Sequence, residues 1–172
     1  VCSLKGGVGK TSVVLGLASA ALARGVPTLV VDLDGANIPL SRTFRERAEP
    51  GMSDALARAF TWREVARPVG SSDGLTITLL PAGTEREDLA VGAELEELLE
   101  SFVRFRSGFE LTIIVAPPGR IALAARLVDA GPVILTPHDG EYEALAGRPV
   151  GADRFAAVRE LAAATSAVVL LK

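Results

Sequence analysis

The residues best suited to chemistry lie in a glycine-rich stretch near the start of the sequence, between a short apolar run and a segment rich in Val, Leu and Ala. Three glycines within four residues let the backbone curl so that successive N–H groups point at one spot, where the positive end of the following helix adds to them. Such a concavity binds phosphate, and we expect Lys10 to reach the outer phosphates and the Thr11 hydroxyl to bind Mg²⁺. A glycine-rich loop can also be only a turn, but the order of Gly, Lys and Thr between a strand and a helix favours phosphate binding. The residues predicted to bind the nucleotide are Gly6, Gly7, Val8, Gly9, Lys10, Thr11 and Ser12.

Lysine is rare in this chain, and two of its lysines flank these glycines. Of 18 basic residues only three are lysine, and Lys5 and Lys10 are two of them. A compact ammonium fits among phosphates better than a planar guanidinium does. The general nucleotide-binding pattern has glycine where this chain has Leu4, and the variant with Lys5 resembles the deviant Walker A loop of the ParA/MinD and bacterial tyrosine-kinase ATPases. That resemblance implies ATP and Mg²⁺ as cofactors and a nucleotide-dependent homodimer in which Lys5 reaches the nucleotide of the partner subunit.

Two acids end the second predicted strand, which is a nearly continuous apolar run from Thr28. Such runs suit the middle of a parallel sheet, and acids at the carboxyl end of its strands face the ligand crevice. The pattern Asp32-Leu33-Asp34 resembles the D-x-D of the same ATPases, which implies that Asp34 lies close to Mg²⁺ and to the attacking water. Either acid could instead be an exposed residue that caps the strand, and this alternative applies more to Asp32. The predicted catalytic residues are Lys5, Lys10 and Asp34, and the predicted metal ligands are Thr11 and Asp34.

The segment from Gly35 to Ser72 is rich in arginine and is predicted to contain short helices. One covers Ser53 to Phe60, with Ser53 as its N-cap, and another covers Thr61 to Ala66. The net charge is −3, so a solvated face is expected and nucleic-acid binding is not. The arginines are Arg42, Arg45, Arg47, Arg58, Arg63 and Arg67.

Two stretches narrow the resemblance to the tyrosine-kinase and exopolysaccharide branch of those ATPases. They are Pro50-Gly51-Met52-Ser53-Asp54-Ala55-Leu56, similar to P-G-L-S-D-x-L, and Leu80-Pro81-Ala82-Gly83, similar to L-P-A-G.

One position departs from the family pattern. An amphipathic helix is predicted from Ala93 to Arg106, followed by a buried strand from Phe109 to Val115. The resembling ATPases have an acid where this chain has Val115, and that acid helps to hold Mg²⁺. Because valine cannot accept a hydrogen bond or bind a cation, we expect ATP to bind but hydrolysis to be weakened.

From about Gly131 the sequence resembles a different family. The run Thr136-Pro137-His138-Asp139-Gly140-Glu141, with Val169-Leu170-Leu171-Lys172 at a matching distance, is similar to the ADP/ATP-dependent NAD(P)H-hydrate dehydratases. The resemblance implies that His138 contacts a hydrated nicotinamide cofactor, although a turn histidine without a ligand is an equal alternative. Segments of that family beyond Lys172, including its catalytic aspartate, have no counterpart here. A fusion of two α/β families, natural or engineered, with a joint within 116–131 is favoured over convergence.

The length of 172 residues suits a single domain, and no apolar run is long enough to span a bilayer. We saw no secretory signal in the sequence, which predicts a cytoplasmic protein. Strands near Val1, Thr28, Leu75, Phe109, Pro132 and Ala167 predict one α/β domain over 1–172.

The predicted fold is a three-layer α/β/α arrangement with a mostly parallel sheet, similar to P-loop NTPases. The predicted function is ATP binding with slow Mg²⁺-dependent hydrolysis, of the ParA/MinD or tyrosine-kinase type. The alternatives are an incomplete NAD(P)H-hydrate dehydratase and a non-catalytic chimeric scaffold.

Overall fold

A four-stranded sheet with β1 in an inner position organises much of the chain. The computed structural model describes residues 9–70, 76–83, 92–116, 123, 126, 127, 133–135, 137, 139–165, 167–169 and 171. The strands of this sheet are β1 (Thr28–Asp32), β2 (Arg67–Gly70), β3 (Thr76–Leu80) and β4 (Leu111–Val115). They lie in the order β2-β3-β1-β4, with β1 parallel to both β3 and β4 and with β2 antiparallel to β3.

The sequence of β1 explains its inner position. All five of its residues are buried, which requires neighbours on both edges and helices on both faces. Its residues alternate between the faces, so that Leu29 and Val31 pack into one core cluster and Val30 packs into the other. The predicted buried strand is confirmed.

Helices cover the two faces of the sheet. On the Val30 face lie α1 (Lys10–Leu22) and α2 (Pro39–Phe44), which contribute Val14, Ala18 and Leu40 to the core. On the Leu29 face lie α3 (Met52–Leu56), α4 (Trp62–Val65) and α5 (Gly92–Arg106). The predicted three-layer α/β/α arrangement with a mostly parallel sheet is therefore confirmed.

The helix α5 begins within one residue of its predicted start and buries Leu99 and Phe102. Phe102 contacts the Trp62 ring edge-on, with 5.3 Å between ring centroids, and Phe105 continues the contacts to Phe109. The Trp62 indole N–H donates to the Ser101 hydroxyl at 2.7 Å. The aromatic side chains thus fix α5 against α4 on this face of the sheet.

The structure differs from the sequence-based expectations in three local features. The strand β2 was not predicted, because Arg-Pro-Val-Gly shows no apolar alternation, and Pro68 is tolerated at a sheet edge. Ser53 is not the N-cap of α3: the helix starts after Gly51, whose N–H donates to the Asp54 carboxylate at 2.8 Å. The helix also ends at Leu56 rather than Phe60, and Arg58 just beyond it adopts a left-handed φ of 60°.

A second, smaller sheet lies in the C-terminal part of the chain. It pairs β5 (Val133–Leu135) in parallel with β6 (Ala167–Val169), and α6 (Asp139–Ala146) and α7 (Arg154–Thr165) lie between them in sequence. Gly147 ends α6 with φ +69°, and Asp153 accepts the Ala156 N–H at the start of α7. The sequence predicted one sheet, but within the described ranges these two strands pair with each other and not with the four-stranded sheet.

Within the described part of the chain, no helix combines the length and the apolar character needed to cross a bilayer.

Candidate functional site

The first turn of α1 carries the described part of the glycine-rich loop. Gly9 precedes the helix with φ +73°, a left-handed conformation that favours glycine, and the helix starts at Lys10. Gly9, as the N-cap residue, has no side chain that could cap the helix, and the first turn of α1 contains no acid. Because the first N–H groups of an α-helix have no partner within the helix, this end has the donors and the positive potential that an anion needs.

The direction of α1 places that first turn near the carboxyl edge of the sheet. The C-terminus of α1 leads through Gly25 to the start of β1, where the Pro27 carbonyl accepts the N–H groups of Glu110 and Leu111. The helix therefore returns along the sheet in the direction opposite to β1, and Val14 near its start packs in the same cluster as Val115 at the end of β4. The first turn of α1 and the acids that follow β1 thus belong to the same edge.

Asp32 is wholly buried at the end of β1, so the alternative of an exposed strand-capping acid is wrong for this residue. One of its carboxylate oxygens accepts the Asp34 N–H at 3.0 Å, and the other accepts the Leu40 N–H at 3.3 Å. Burial raises the pKa of Asp32 to about 6, against the lowering effect of these two backbone donors, and the nearby Asp34 charge adds a smaller rise. Asp32 therefore ties both ends of the segment 34–40 to the end of β1.

Asp34 is half-buried and lies in a tight turn that its own side chain closes. Its carboxylate accepts the Asn37 backbone N–H at 3.0 Å, and the Asn37 side-chain amide donates to both carboxylate oxygens, at 3.1 and 3.2 Å. The Ile38 N–H donates to the Asp34 carbonyl at 2.9 Å, and Ile38 itself has a left-handed φ of 43° before Pro39. This turn holds Asp34 at the edge where the phosphate groups are expected.

Gly51 and Gly83 allow the stretches 50–56 and 80–83 to pack closely against each other at the end of β3. A Cβ atom on Gly51 would lie 2.2 Å from the Gly83 backbone nitrogen and 2.5 Å from the Pro81 carbonyl oxygen. The Met52 N–H donates to that same carbonyl at 2.6 Å, and both the N–H and the hydroxyl of Ser53 donate to the Ala82 carbonyl. The two stretches therefore form one buried junction, and the described contacts give it a structural role.

Val115 lies beside Asp32. The two residues pair in register between β4 and β1, so their side chains share a face of the sheet, and both are buried. Val115 contributes no polar atom at the position where the resembling ATPases have an acid. Among the residues that the structure describes, no group of three or more His, Cys, Asp or Glu could hold a metal ion by itself.

The structure describes some of the predicted site residues and not others. Gly9, Lys10, Thr11, Ser12 and Asp34 are described, and they belong to one edge of the four-stranded sheet. The sequence analysis did not single out Asn37; the signal available was Asp34 before Gly35, because an Asp side chain in a turn often accepts a backbone N–H a few residues further along. The residues outside the described ranges are Lys5, Gly6, Gly7, Val8 and His138.

A mostly parallel sheet with helices on both faces, a helix that starts after a left-handed glycine, and an acid-bearing turn at the same edge are features of a nucleotide-binding α/β protein. Comparison with protein families agrees: the chain belongs to the CobQ/CobB/MinD/ParA nucleotide binding domain family, whose model matches residues 1–164.

Solved structures share this fold. Cobyrinic acid a,c-diamide synthase from Mycobacterium smegmatis, with bound ADP and magnesium, is 21% identical with a TM-score of 0.61, covering 99% of this chain and 71% of that one. The septum site-determining protein MinD of Pyrococcus horikoshii with Mg-ADP is 18% identical with a TM-score of 0.61, covering 99% and 66%. The kinase domain of the Escherichia coli tyrosine kinase ETK is 17% identical with a TM-score of 0.61, covering 99% and 66%. The P-loop NTPase-like fold predicted from the sequence is confirmed.

The second resemblance is also confirmed, as a local one. The bifunctional NAD(P)H-hydrate repair enzyme Nnr of Mycobacterium tuberculosis is 58% identical over 41 residues. That match covers 24% of this chain and 9% of Nnr, so the chain spans only a small part of the length of this curated relative.

Proposed function

We propose that this chain binds ATP with Mg²⁺ at the start of α1 and hydrolyses the nucleotide slowly. Lys10 contacts the outer phosphates, the backbone N–H groups from Gly6 to Ser12 surround them, and Asp34 faces the γ-phosphate. The observation that carries this proposal is the acid-free start of α1, with Gly9 as its N-cap, at the same sheet edge as Asp34, in a chain of a nucleotide-binding family.

The described donor set fits a magnesium ion of the kind that accompanies a nucleotide. Mg²⁺ prefers oxygen ligands, keeps several of its waters, and takes few protein ligands in addition to phosphate oxygens. The Thr11 hydroxyl and the Asp34 carboxylate are oxygen groups of this kind, so a full protein cage is not required. When bound, Mg²⁺ would neutralise phosphate charge, while Lys10 and Asp34 would orient the phosphate and the water.

We expect hydrolysis to be slow because Val115 stands where the resembling ATPases have an acid that helps to hold Mg²⁺. The neighbouring acid, Asp32, is wholly buried, and each of its oxygens accepts a backbone N–H of the segment that follows β1, so we do not assign it the role of the missing carboxylate. Phosphate binding through the start of α1 does not depend on position 115. Binding and hydrolysis are therefore separable in this protein.

Calorimetric titration with Mg-ATP tests the proposal. We expect the wild type to bind in the micromolar range, about −8 kcal/mol, and Lys10→Ala to lose this binding. Arg24→Ala is a matched control, because it removes one positive charge just beyond the other end of α1, where Arg24 is exposed. Equal binding by Lys10→Ala and the wild type would contradict the proposal, as would binding lost equally in Arg24→Ala. Phosphate release measured on the same samples then reports hydrolysis.

A second candidate function rests on the local match to Nnr. The match favours descent of part of this chain from a hydrate-repair enzyme, in which His138 would contact a hydrated nicotinamide cofactor. The family match over 1–164 favours the nucleotide-binding function over this alternative and over a non-catalytic chimeric scaffold. Titration with hydrated NADPH distinguishes them, because only the repair-enzyme candidate predicts binding that His138→Ala removes.

A further inference from the structure

We propose that Asn37 is a positioning residue that fixes the Asp34 carboxylate and leaves one oxygen, Oδ2, with an open acceptor site for the attacking water or for a water bound to Mg²⁺. The proposal rests on the proposed function, and it adds a residue and a specific oxygen to it.

The contacts of the Asp34 carboxylate carry the argument. An ionised carboxylate offers about four acceptor sites, two on each oxygen. Oδ1 accepts both the Asn37 backbone N–H at 3.0 Å and its side-chain Nδ2 at 3.1 Å, whereas Oδ2 accepts only Nδ2, at 3.2 Å. Among the described residues, therefore, Oδ1 is saturated and Oδ2 keeps one acceptor site.

The orientation of the Asn37 amide follows from the chemistry. Its NH₂ group faces two acceptor oxygens, and the reverse orientation would place the amide oxygen against a carboxylate. A single NH₂ group that bridges both oxygens fixes the rotation of the carboxylate plane, which a lone hydrogen bond would leave free. Asn37 thus restricts the rotation of the Asp34 carboxylate, so that the open acceptor site on Oδ2 points in one direction.

The surrounding turn is held independently of Asn37. Asp32 accepts the N–H groups of Asp34 and Leu40, and the Ile38 N–H closes the turn onto the Asp34 carbonyl. Because the Asn37 side chain is exposed, its removal leaves the turn backbone and the core intact. Its effect should therefore appear in the orientation of Asp34 rather than in folding.

The test compares Asn37→Ala, Asn37→Ser and Ala36→Ser in the purified 172-residue chain. Asn37→Ala removes the bridging donor, Asn37→Ser returns one hydroxyl donor, and Ala36→Ser is a matched control at an exposed neighbour in the same turn. The measurements are the kcat and KM of phosphate release, the Kd of Mg-ADP, and the gain in Mg-ADP affinity when aluminium fluoride mimics the transferring phosphoryl group. The last readout does not require turnover.

We expect Asn37→Ala to lower kcat and the aluminium fluoride gain by about tenfold, while the Kd of Mg-ADP changes by less than about twofold. Asn37→Ser should lie between Asn37→Ala and the wild type, and Ala36→Ser should match the wild type. An unchanged aluminium fluoride gain in Asn37→Ala overturns this proposal alone. A loss of Mg-ADP affinity equal to the loss in kcat also overturns it, since Asn37 would then act on binding. If Lys10→Ala binds Mg-ATP as well as the wild type, the proposed function fails and this proposal fails with it.

Discussion

At Asp32, burial and hydrogen bonding act in opposite directions on one carboxyl group. Burial disfavours the charged form, while the N–H groups of Asp34 and Leu40 favour it, and burial is the larger effect. The two oxygens of this carboxyl group set the course of the chain between β1 and α2.

Asp32 makes the stability of the folded chain depend on pH. Its folded pKa of about 6 exceeds the ordinary value of 3.8, so between these values the folded state binds more protons than the unfolded state. Stability from this group is therefore greatest at low pH and is lost as the pH rises through 6. We expect the unfolding free energy of the wild type, relative to Asp32→Asn, to rise by about 2 kcal/mol between pH 7.5 and pH 4.5.

Urea unfolding of both proteins at these two pH values, in EDTA and without nucleotide, measures this difference. The other carboxyls titrate in both proteins and cancel in the comparison. Asp32→Asn also loses one backbone hydrogen bond, because an amide NH₂ cannot accept, but that loss does not vary with pH. A difference between the two proteins that stays constant across the pH range would contradict the prediction.

For individual residues, the sequence predicts which acids lie at the edge of the sheet, but it does not predict which groups each acid contacts there. The D-x-D pattern after an apolar strand places Asp32 and Asp34 correctly. It does not reveal that Asp32 is enclosed, because that depends on the Leu40 N–H, which the chain brings back only after a turn with Ile38 in a left-handed conformation. Nor does it reveal that Asn37 covers Asp34, since an exposed polar residue in a turn is usually solvated.

The junction between the P-G-M-S-D stretch and the end of β3 depends on two glycines. A side chain on Gly51 would overlap backbone atoms of Pro81 and Gly83, and backbone atoms cannot move aside as a flexible side chain can. We expect Gly51→Ala to lower the free energy of unfolding by about 3 kcal/mol. Chemical denaturation monitored by the fluorescence of Trp62, which packs in the core beside this junction, measures the change.

Gly16→Ala is the matched control for that substitution. Gly16 lies exposed within α1, and a Cβ atom there meets nothing within 4 Å. Because alanine has the better helix propensity, Gly16→Ala should raise the unfolding free energy by about 0.5–1 kcal/mol. Equal effects of the two substitutions would show that Gly51 is not required by close packing.

The hydrophobic pattern of the sequence predicted the helices and strands whose structure depends mainly on their own residues. The apolar run of β1 and the amphipathic pattern of α5 are of this kind. The strand β2 is not, because its pairing depends on distant groups: the Arg67 guanidinium donates to the carbonyls of Arg47, Glu49 and Pro50, which fixes the start of β2 beside β3. No pattern within Arg-Pro-Val-Gly carries that information.

The described residues of the whole molecule contain two sheets with separate cores. Tyr142, Ala157, Leu161 and Val169 form a cluster of their own around β6, apart from the two clusters on the four-stranded sheet. The sequence predicted the strands but assigned them to one sheet, because hydrophobic runs show that a strand is buried without showing which strand it pairs with. That the chain is a single domain, with a fusion joint within 116–131, stays a prediction.

Assembly is the prediction that belongs to the whole chain, and we expect Mg-ATP to convert a monomer into a dimer. The reason is electrostatic: a lysine that reaches a partner's phosphates gains a favourable contact only when the nucleotide is bound, and Lys5 is the residue to which the resemblance gives this role. Sedimentation velocity should show one species without nucleotide and a species of twice the mass with Mg-ATP. Lys5→Ala should still bind Mg-ATP in calorimetry but sediment as a monomer, whereas Lys10→Ala should do neither. A single species of unchanged mass at saturating Mg-ATP would exclude the dimer, and dimerisation by Lys5→Ala would exclude Lys5 as its cause.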